Sequence, residues 1–206
     1  MKKPFWIFYL FIINAVYGQE YNFDSFYEYK SISNNSVFFF VNSTNSDYFF
    51  YGFSNSEITS GYINDIKKNE FHYFNFSNQN NLVTFEYSYT RQIFSFPFSF
   101  NKKYDYEYAS VEIDSASNKL RIDKLKIRNN KKIGHCELYY QNNDFVFHDS
   151  ILKFYSHGFF DDRDLEFTNN RLPYSININR YDGNFLKLTL SRKEKINLIL
   201  STKYNK

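Results

Sequence analysis

Cysteine is nearly missing from this chain, Cys136 being the only one in 206 residues. A lone cysteine cannot close an intrachain disulfide, so burial must hold the fold together. Glycine is also scarce, at 6, and nowhere forms the Gly-x-Ser-x-Gly turn of a serine hydrolase or a Gly-rich phosphate loop. Nor does any window show a period near 3.6, which predicts little helix. No internal repeat of fixed period is present. The formal charge of +3 falls to about +1 once Lys2 and Lys3 are set aside, too small a balance to point to nucleic acid or an anionic membrane as partner.

Those two lysines open the N-terminal segment. Met1-Lys2-Lys3 is followed by the apolar run Pro4 to Ile13 and then by Val16-Tyr17-Gly18 before the polar Gln19-Glu20. A basic start, an apolar stretch too short for a comfortable membrane span, and small residues at the third and first positions before the break have the form of a secretory signal peptide. The expectation is cleavage after Gly18, a single domain over 19–206, and a secreted or periplasmic protein without membrane association. No cysteine follows the apolar run, so a bacterial lipid anchor has no acceptor.

Phe (26) and Tyr (20) dominate the composition. Aromatic residues favour strands, although Phe, Tyr, Asn, Lys and Ile also share AT-rich codons, so abundance alone does not identify a carbohydrate platform. Patterning is more informative. Leu172, Tyr174, Ile176 and Ile178 alternate with Pro173, Ser175, Asn177 and Asn179, the period of a strand with one buried face. Tyr181-Asp182-Gly183-Asn184 supplies a hairpin turn; Leu186, Leu188 and Leu190 alternate again. With Ser191-Arg192-Lys193-Glu194 as a second turn, Ile196, Leu198 and Leu200 complete a three-strand meander in which Ile176, Leu188 and Leu198 point to the core and Asn177, Lys187 and Asn197 away from it.

Polar clusters at short intervals delimit further strands over Val37 to Val41, Tyr48 to Phe53, Ile58 to Ile66, Phe71 to Phe76 and Leu82 to Phe94, with Phe71, Tyr73, Phe85, Tyr87 and Tyr89 keeping one alternation. Pro97 marks Phe94 to Phe100 as an edge, bulge or crossing. Tyr104 to Ile113, Leu120 to Ile127 and Gly134 to Tyr140 follow, the second with a phase slip between Ile122 and Leu125 that one extra residue in a bulge explains. Phe145 to Tyr155 is the next strand candidate. The fold class is therefore all-β, about a dozen antiparallel strands in a meander forming a curved half-barrel, a sandwich or a closed barrel.

Lys132-Ile133-Gly134-His135-Cys136, after a Lys/Asn turn in a signal-bearing all-β chain, resembles the strand around a Lys-Ile-Gly and nearby Cys in small secreted proteins of low-GC bacteria such as the GLPGLI family. The nearest counterpart of that family's Gly-Leu-Pro-Gly-Leu-Ile is Arg171-Leu172-Pro173. The resemblance implies a secreted all-β fold and no particular activity.

Candidate chemistry is sparse. His135 and Cys136, as strand neighbours, point to opposite faces and cannot chelate one metal; Cys136 reads as a small buried residue. His72, His148 and His157 have no ligand spacing. Asp161, Asp162 and Asp164, with Glu166 nearby, are the candidate metal ligands, in competition with a solvated loop in which Arg163 pairs locally. No catalytic residue and no cofactor is identified. The expected function is a non-enzymatic exported β-sheet protein that binds an apolar small molecule, a lipid or an envelope protein on aromatic residues of the sheet. An outer-membrane β-barrel is the alternative, and an enzyme of unknown class the third reading.

Overall fold

The computed structural model describes residues 18–33, 35–54, 59–79, 82–92, 104–114, 117–141, 143–155 and 171–203. The apolar start of the chain, the segment around Pro97, His157 and the acidic residues Asp161, Asp162 and Asp164 lie outside them. Among the described residues the strands are β1 (Glu20–Ser31), β2 (Ser36–Asn42), β3 (Asn45–Ser54), β4 (Thr59–Asp65), β5 (Glu70–Gln79), β6 (Leu82–Gln92), β7 (Tyr104–Asp114), β8 (Ser117–Lys126), β9 (Lys131–Gln141), β10 (Pro173–Arg180) and β11 (Phe185–Ser201), with one helix, α1 (Asp149–Tyr155). All pair antiparallel in a single sheet of order β6-β5-β4-β3-β2-β1-β11-β10-β9-β8-β7. The sheet is curved and does not close into a barrel. The first and last strands meet in its middle, and β6 and β7 are its two outer members.

In the N-terminal half, two adjacent glycines lie between large side chains across the sheet. On one face Phe38 lies opposite Gly52, Gly52 opposite Gly61, and Gly61 opposite Phe74. A Cβ on Gly52 would stand 2.3 Å from the Phe38 ring, and one on Gly61 would stand 2.5 Å from the Phe50 ring and 2.6 Å from the Tyr51 carbonyl oxygen. The rings fill the space the glycines leave, an arrangement that lets the sheet bend toward that face. Bending brings Phe85 of β6 over Phe40 of β2, with ring centroids 5.7 Å apart although three strands separate them in the sheet.

Two apolar clusters result. One covers the inner face from β3 to β8 and includes Tyr27, Tyr29, Phe39, Ile122, Cys136, Leu138, Ile176 and Leu188. The other fills the hollow of the bent N-terminal half with Tyr21, Phe23, Phe40, Phe50, Ile63, Phe74 and Leu200. Tyr21 and Phe23 share odd numbering with Tyr27 and Tyr29 yet join the other cluster, because the β1–β11 ladder is irregular between Phe23 and Ser25.

Three expectations are corrected. Ser191 to Glu194 is not a turn: β11 runs unbroken through it as a 17-residue strand. Where Glu28 pairs Arg192 and Tyr29 pairs Leu190, Ser191 is an extra residue, and Ile196 and Asn197 lie opposite Asp24 alone. The bulge at Ser191 turns the strand's faces over without ending it, so Leu188 packs into the first cluster and Leu198 against the second. Likewise, Phe145 to Tyr155 is not a strand. Val146 makes one bridge to Arg171, and the chain then enters α1. Phe147 and Ile151, spaced by a helical turn, are buried with Leu152 against the inner face. A segment lying across a sheet must satisfy its own backbone groups; the Ile151 amide bonds the His148 carbonyl at 3.0 Å, and Asp149 sits in the first turn where the helix dipole favours it. Finally, Ser88 is an extra residue between Tyr89, paired with Tyr73, and Tyr87, paired with Phe74, so Tyr89 does not share the face of Phe85 and Tyr87.

The ladder is irregular near the phase slip between Ile122 and Leu125, but the additional residue is Ile133 of β9 and not one within β8, so the bulge lies on the partner strand. The turn at Gly183, with φ of 92°, joins β10 to β11 as its Asp-Gly pair requires.

Candidate functional site

Strict alternation on adjacent strands places aromatic residues side by side. Phe39, Tyr51, Tyr62, Tyr73 and Tyr89 occupy directly opposed positions on β2, β3, β4, β5 and β6. Successive ring centroids are 5.6, 5.4, 5.3 and 4.5 Å apart, and Tyr73 and Tyr89 are stacked with an interplanar angle of 15°. Phe71 flanks the row 4.9 Å from Tyr62. With strands about 4.8 Å apart, four steps make a strip about 19 Å long. It starts inside the first core, where Phe39 is buried, and emerges at Tyr89, which is 49% exposed. Burial raises the pKa of the Tyr51 and Tyr62 hydroxyls, so both remain neutral phenols. Such a strip offers ring surface with a hydroxyl rim, suited to an amphipathic or apolar ligand.

On the opposite face of the same half, a buried polar chain runs through Tyr21, Asp65 and His72. The Tyr21 hydroxyl donates to Asp65 Oδ2 at 2.7 Å and lies 2.6 Å from His72 Nε2. His72 Nδ1 is 2.6 Å from Thr90 Oγ1, which is 2.7 Å from the Tyr87 hydroxyl. Since Tyr21 spends its proton on Asp65, His72 donates from Nε2 and accepts at Nδ1, and every member is satisfied in one direction. Desolvation would raise the Asp65 pKa, but hydrogen bonds from Tyr21, the Lys68 amide and Gln19 outweigh it and hold the carboxyl below its ordinary value. Desolvation also lowers the pKa of His72, against the pull of Glu70 and Asp65, and keeps the ring neutral. A buried Tyr-Asp-His chain has the parts of a proton relay, yet Tyr21 is fully buried and Asp65 and His72 are each 3% exposed. It ties β1, β4, β5 and β6 together.

A third arrangement crosses β8, β9 and β10. Arg121 contacts Asp123 at 3.1 Å and Glu137 at 3.4 Å, Lys119 reaches Glu137 at 2.7 Å, and Lys132 reaches Asp123 at 2.9 Å. Burial opposes ionisation of both acids, but these cationic partners and the Tyr139 hydroxyl hold them charged. His135 and Asn177 lie beside this network in register. Among the described residues, His135 Nδ1 and Asn177 Oδ1 are buried without a hydrogen-bond partner.

Cys136 is fully buried with its thiol pKa pushed up by desolvation, while His135, its neighbour, faces the polar network as the alternation requires. His148 Nε2 lies 2.7 Å from the Asn42 carbonyl oxygen, tying the start of α1 to the β2–β3 turn. The role of His72 was missed in the sequence; its signal was a histidine in phase with buried Phe74. Among the described residues no group of three or more His, Cys, Asp or Glu side chains is placed to hold a metal ion, and no helix is long and apolar enough to cross a membrane. No protein-family model matches this chain, and no curated protein matches its sequence.

Proposed function

We propose that the chain from Gln19 is an exported, non-enzymatic β-sheet protein that holds an apolar small molecule on the aromatic strip of β3 to β6. The observation that carries this reading is the unbroken row from buried Phe39 to exposed Tyr89. Cross-strand aromatic pairs stabilise any sheet by about 0.2–1 kcal/mol each, which accounts for the inner members. The outer stack of Tyr73 on Tyr89 leaves phenol surface open at the rim, where a flat apolar ligand gains both area and ring contact. Export is supported by the Met1–Gly18 pattern, and kinship with secreted GLPGLI-type proteins by Lys132–Cys136.

The test uses intrinsic tyrosine fluorescence, since the only tryptophan, Trp6, lies in the segment assigned to cleavage. Titration with a fluorescent apolar dye should quench that emission saturably, and Tyr73→Ser with Tyr89→Ser should weaken binding by about tenfold. Ile199→Ser, exposed on β11, should leave it unchanged. Equal loss in both proteins, or no saturable binding, rejects the site. Recovery of a product that retains Met1 rejects the cleavage.

A further inference from the structure

The other half of the sheet carries a second concavity. Where the β8–β9 hairpin and the β10–β11 turn converge, a cavity of about 420 Å³ is lined by Lys124, Lys126, Lys131, Lys132 and Arg180, with Asp182 as the one carboxylate among the described residues of its lining. Cations are concentrated here against the near-neutral balance of the chain. Lys126 and Lys131 stand directly opposite each other as the closing pair of their hairpin, and the next pair sets Lys132 opposite Leu125. Like charges at opposed positions destabilise an antiparallel pair, so the hairpin carries a repulsion that a bound anion would relieve.

The deeper part of the lining is fixed. Lys124 is 5% exposed, its ammonium 4.1 Å from the centroid of the Tyr104 ring and 5.8 Å from that of Tyr106. A cation–π contact stands in for part of the hydration that such a buried group gives up. Lys124 and Arg180 both pair with Gly134 of β9, so two long cationic side chains flank a position without one. The far wall is held by the Tyr181 amide, which bonds the Ile133 carbonyl at 3.1 Å, and by the Gly183 amide, which bonds the Arg180 carbonyl at 3.0 Å. Tyr104, Ile133 and Tyr181 give the rest of the lining an apolar surface.

We propose that this cavity binds a small phosphorylated ligand, with Lys126, Lys131 and Arg180 contacting its phosphate groups and Tyr104 and Tyr181 walling its remainder. Lys126, Lys131 and Arg180, with Lys124 beneath them and Lys132 shared with Asp123, suit a multiply charged anion better than a single carboxylate, and a guanidinium offers phosphate a paired donor geometry. The volume falls in the range of small-molecule sites and exceeds what one ion needs. The site is independent of the aromatic strip and stands whether or not that strip binds anything.

Pyrophosphate is the probe for a free phosphorylated ligand, and vesicles of phosphatidylglycerol against phosphatidylcholine are the probe for a lipid headgroup. Calorimetry at low salt should show saturable one-to-one pyrophosphate binding that weakens as salt rises. Lys126→Ala with Lys131→Ala, both at exposed positions, should weaken it by about tenfold or more. Lys30→Ala with Lys67→Ala, equal in charge and remote from the cavity, should leave it unchanged. Selective binding to phosphatidylglycerol vesicles that is lost in the same hairpin variant would support the phosphate contact with a lipid as its source. Absence of saturable binding to both probes, or equal weakening in the two double variants, overturns the proposal.

Discussion

His72 should make the protein less stable in mild acid. The ring is buried against Tyr21, with Glu70 Oε2 3.6 Å from Nε2, so two effects compete: the neighbouring carboxylates favour a protonated ring, and desolvation disfavours it. Desolvation is the larger, and the folded pKa lies below its ordinary value. An unfolded histidine titrates near 6.5. The folded state therefore binds fewer protons than the unfolded state once pH drops below about 6.5, and stability is present above that pH and lost as it falls. If His72 stayed neutral throughout, lowering pH from about 7.5 to about 5.5 would cost at most about 1.4 kcal/mol from this residue. His135, also lowered by desolvation, adds in the same direction, so the His72 share is isolated by difference. Urea unfolding of the wild type and of His72→Gln at both pH values gives that difference, the variant losing less on acidification. A wild type that loses no more than His72→Gln, or that gains stability in acid, would mean the carboxylates outweigh burial and the ring is charged in the folded protein.

Other substitutions test other parts of the framework. Tyr21→Phe removes the hydroxyl shared by Asp65 and His72, and denaturation at neutral pH should show a loss of about 2–4 kcal/mol, since one of the two hydrogen bonds involves a charge. Gly61→Ala should cost about 1–3 kcal/mol in the same assay, because the new methyl group meets a backbone carbonyl that cannot rotate away. Ile176→Ala and Leu188→Ala should each lower stability by about 2–5 kcal/mol, and Lys187→Ala and Asn197→Ala by no more than about 0.5 kcal/mol, which urea midpoints would separate. Cys136→Val should cost on the order of 1 kcal/mol and leave the circular dichroism spectrum unaltered.

The strands were legible wherever one face is wet and one dry, as at Gly134, Cys136, Leu138 and Tyr140, which share a buried face. Legibility failed where a local irregularity imitates a boundary. Leu186 to Leu190 and Ile196 to Leu200 keep one even-numbered alternation, and the charged residues between them read the same in sequence whether the chain turns there or, as at Ser191, bulges and presents its next apolar residues to the other face. Phe145 to Tyr155 failed for another reason: a short apolar run has no period of its own, and its position across an already paired sheet decided for helix. For the candidate sites the limit is partnership. Sequence supplied Tyr51, Tyr62, Tyr73 and Tyr89 as strand residues, but only the register of five strands aligns them into one strip, and only the meeting of two hairpins gathers Lys131 with Arg180.

The pairing of β1 with β11, where Glu20 faces Ser201, sets an order on the protein's birth. A chain emerging from N- to C-terminus can form the hairpins β2 to β6 and β7 to β9 early, because their partners are adjacent. The seam at the centre must wait for the last residues made, and until then β1 carries an open edge bearing Tyr27 and Tyr29. Contacts so distant in sequence slow folding. A delay of that kind makes the final 17-residue strand the clasp of the whole sheet. Removing that strand would leave two separate half-sheets, each with a new unsatisfied edge and a propensity to associate through it.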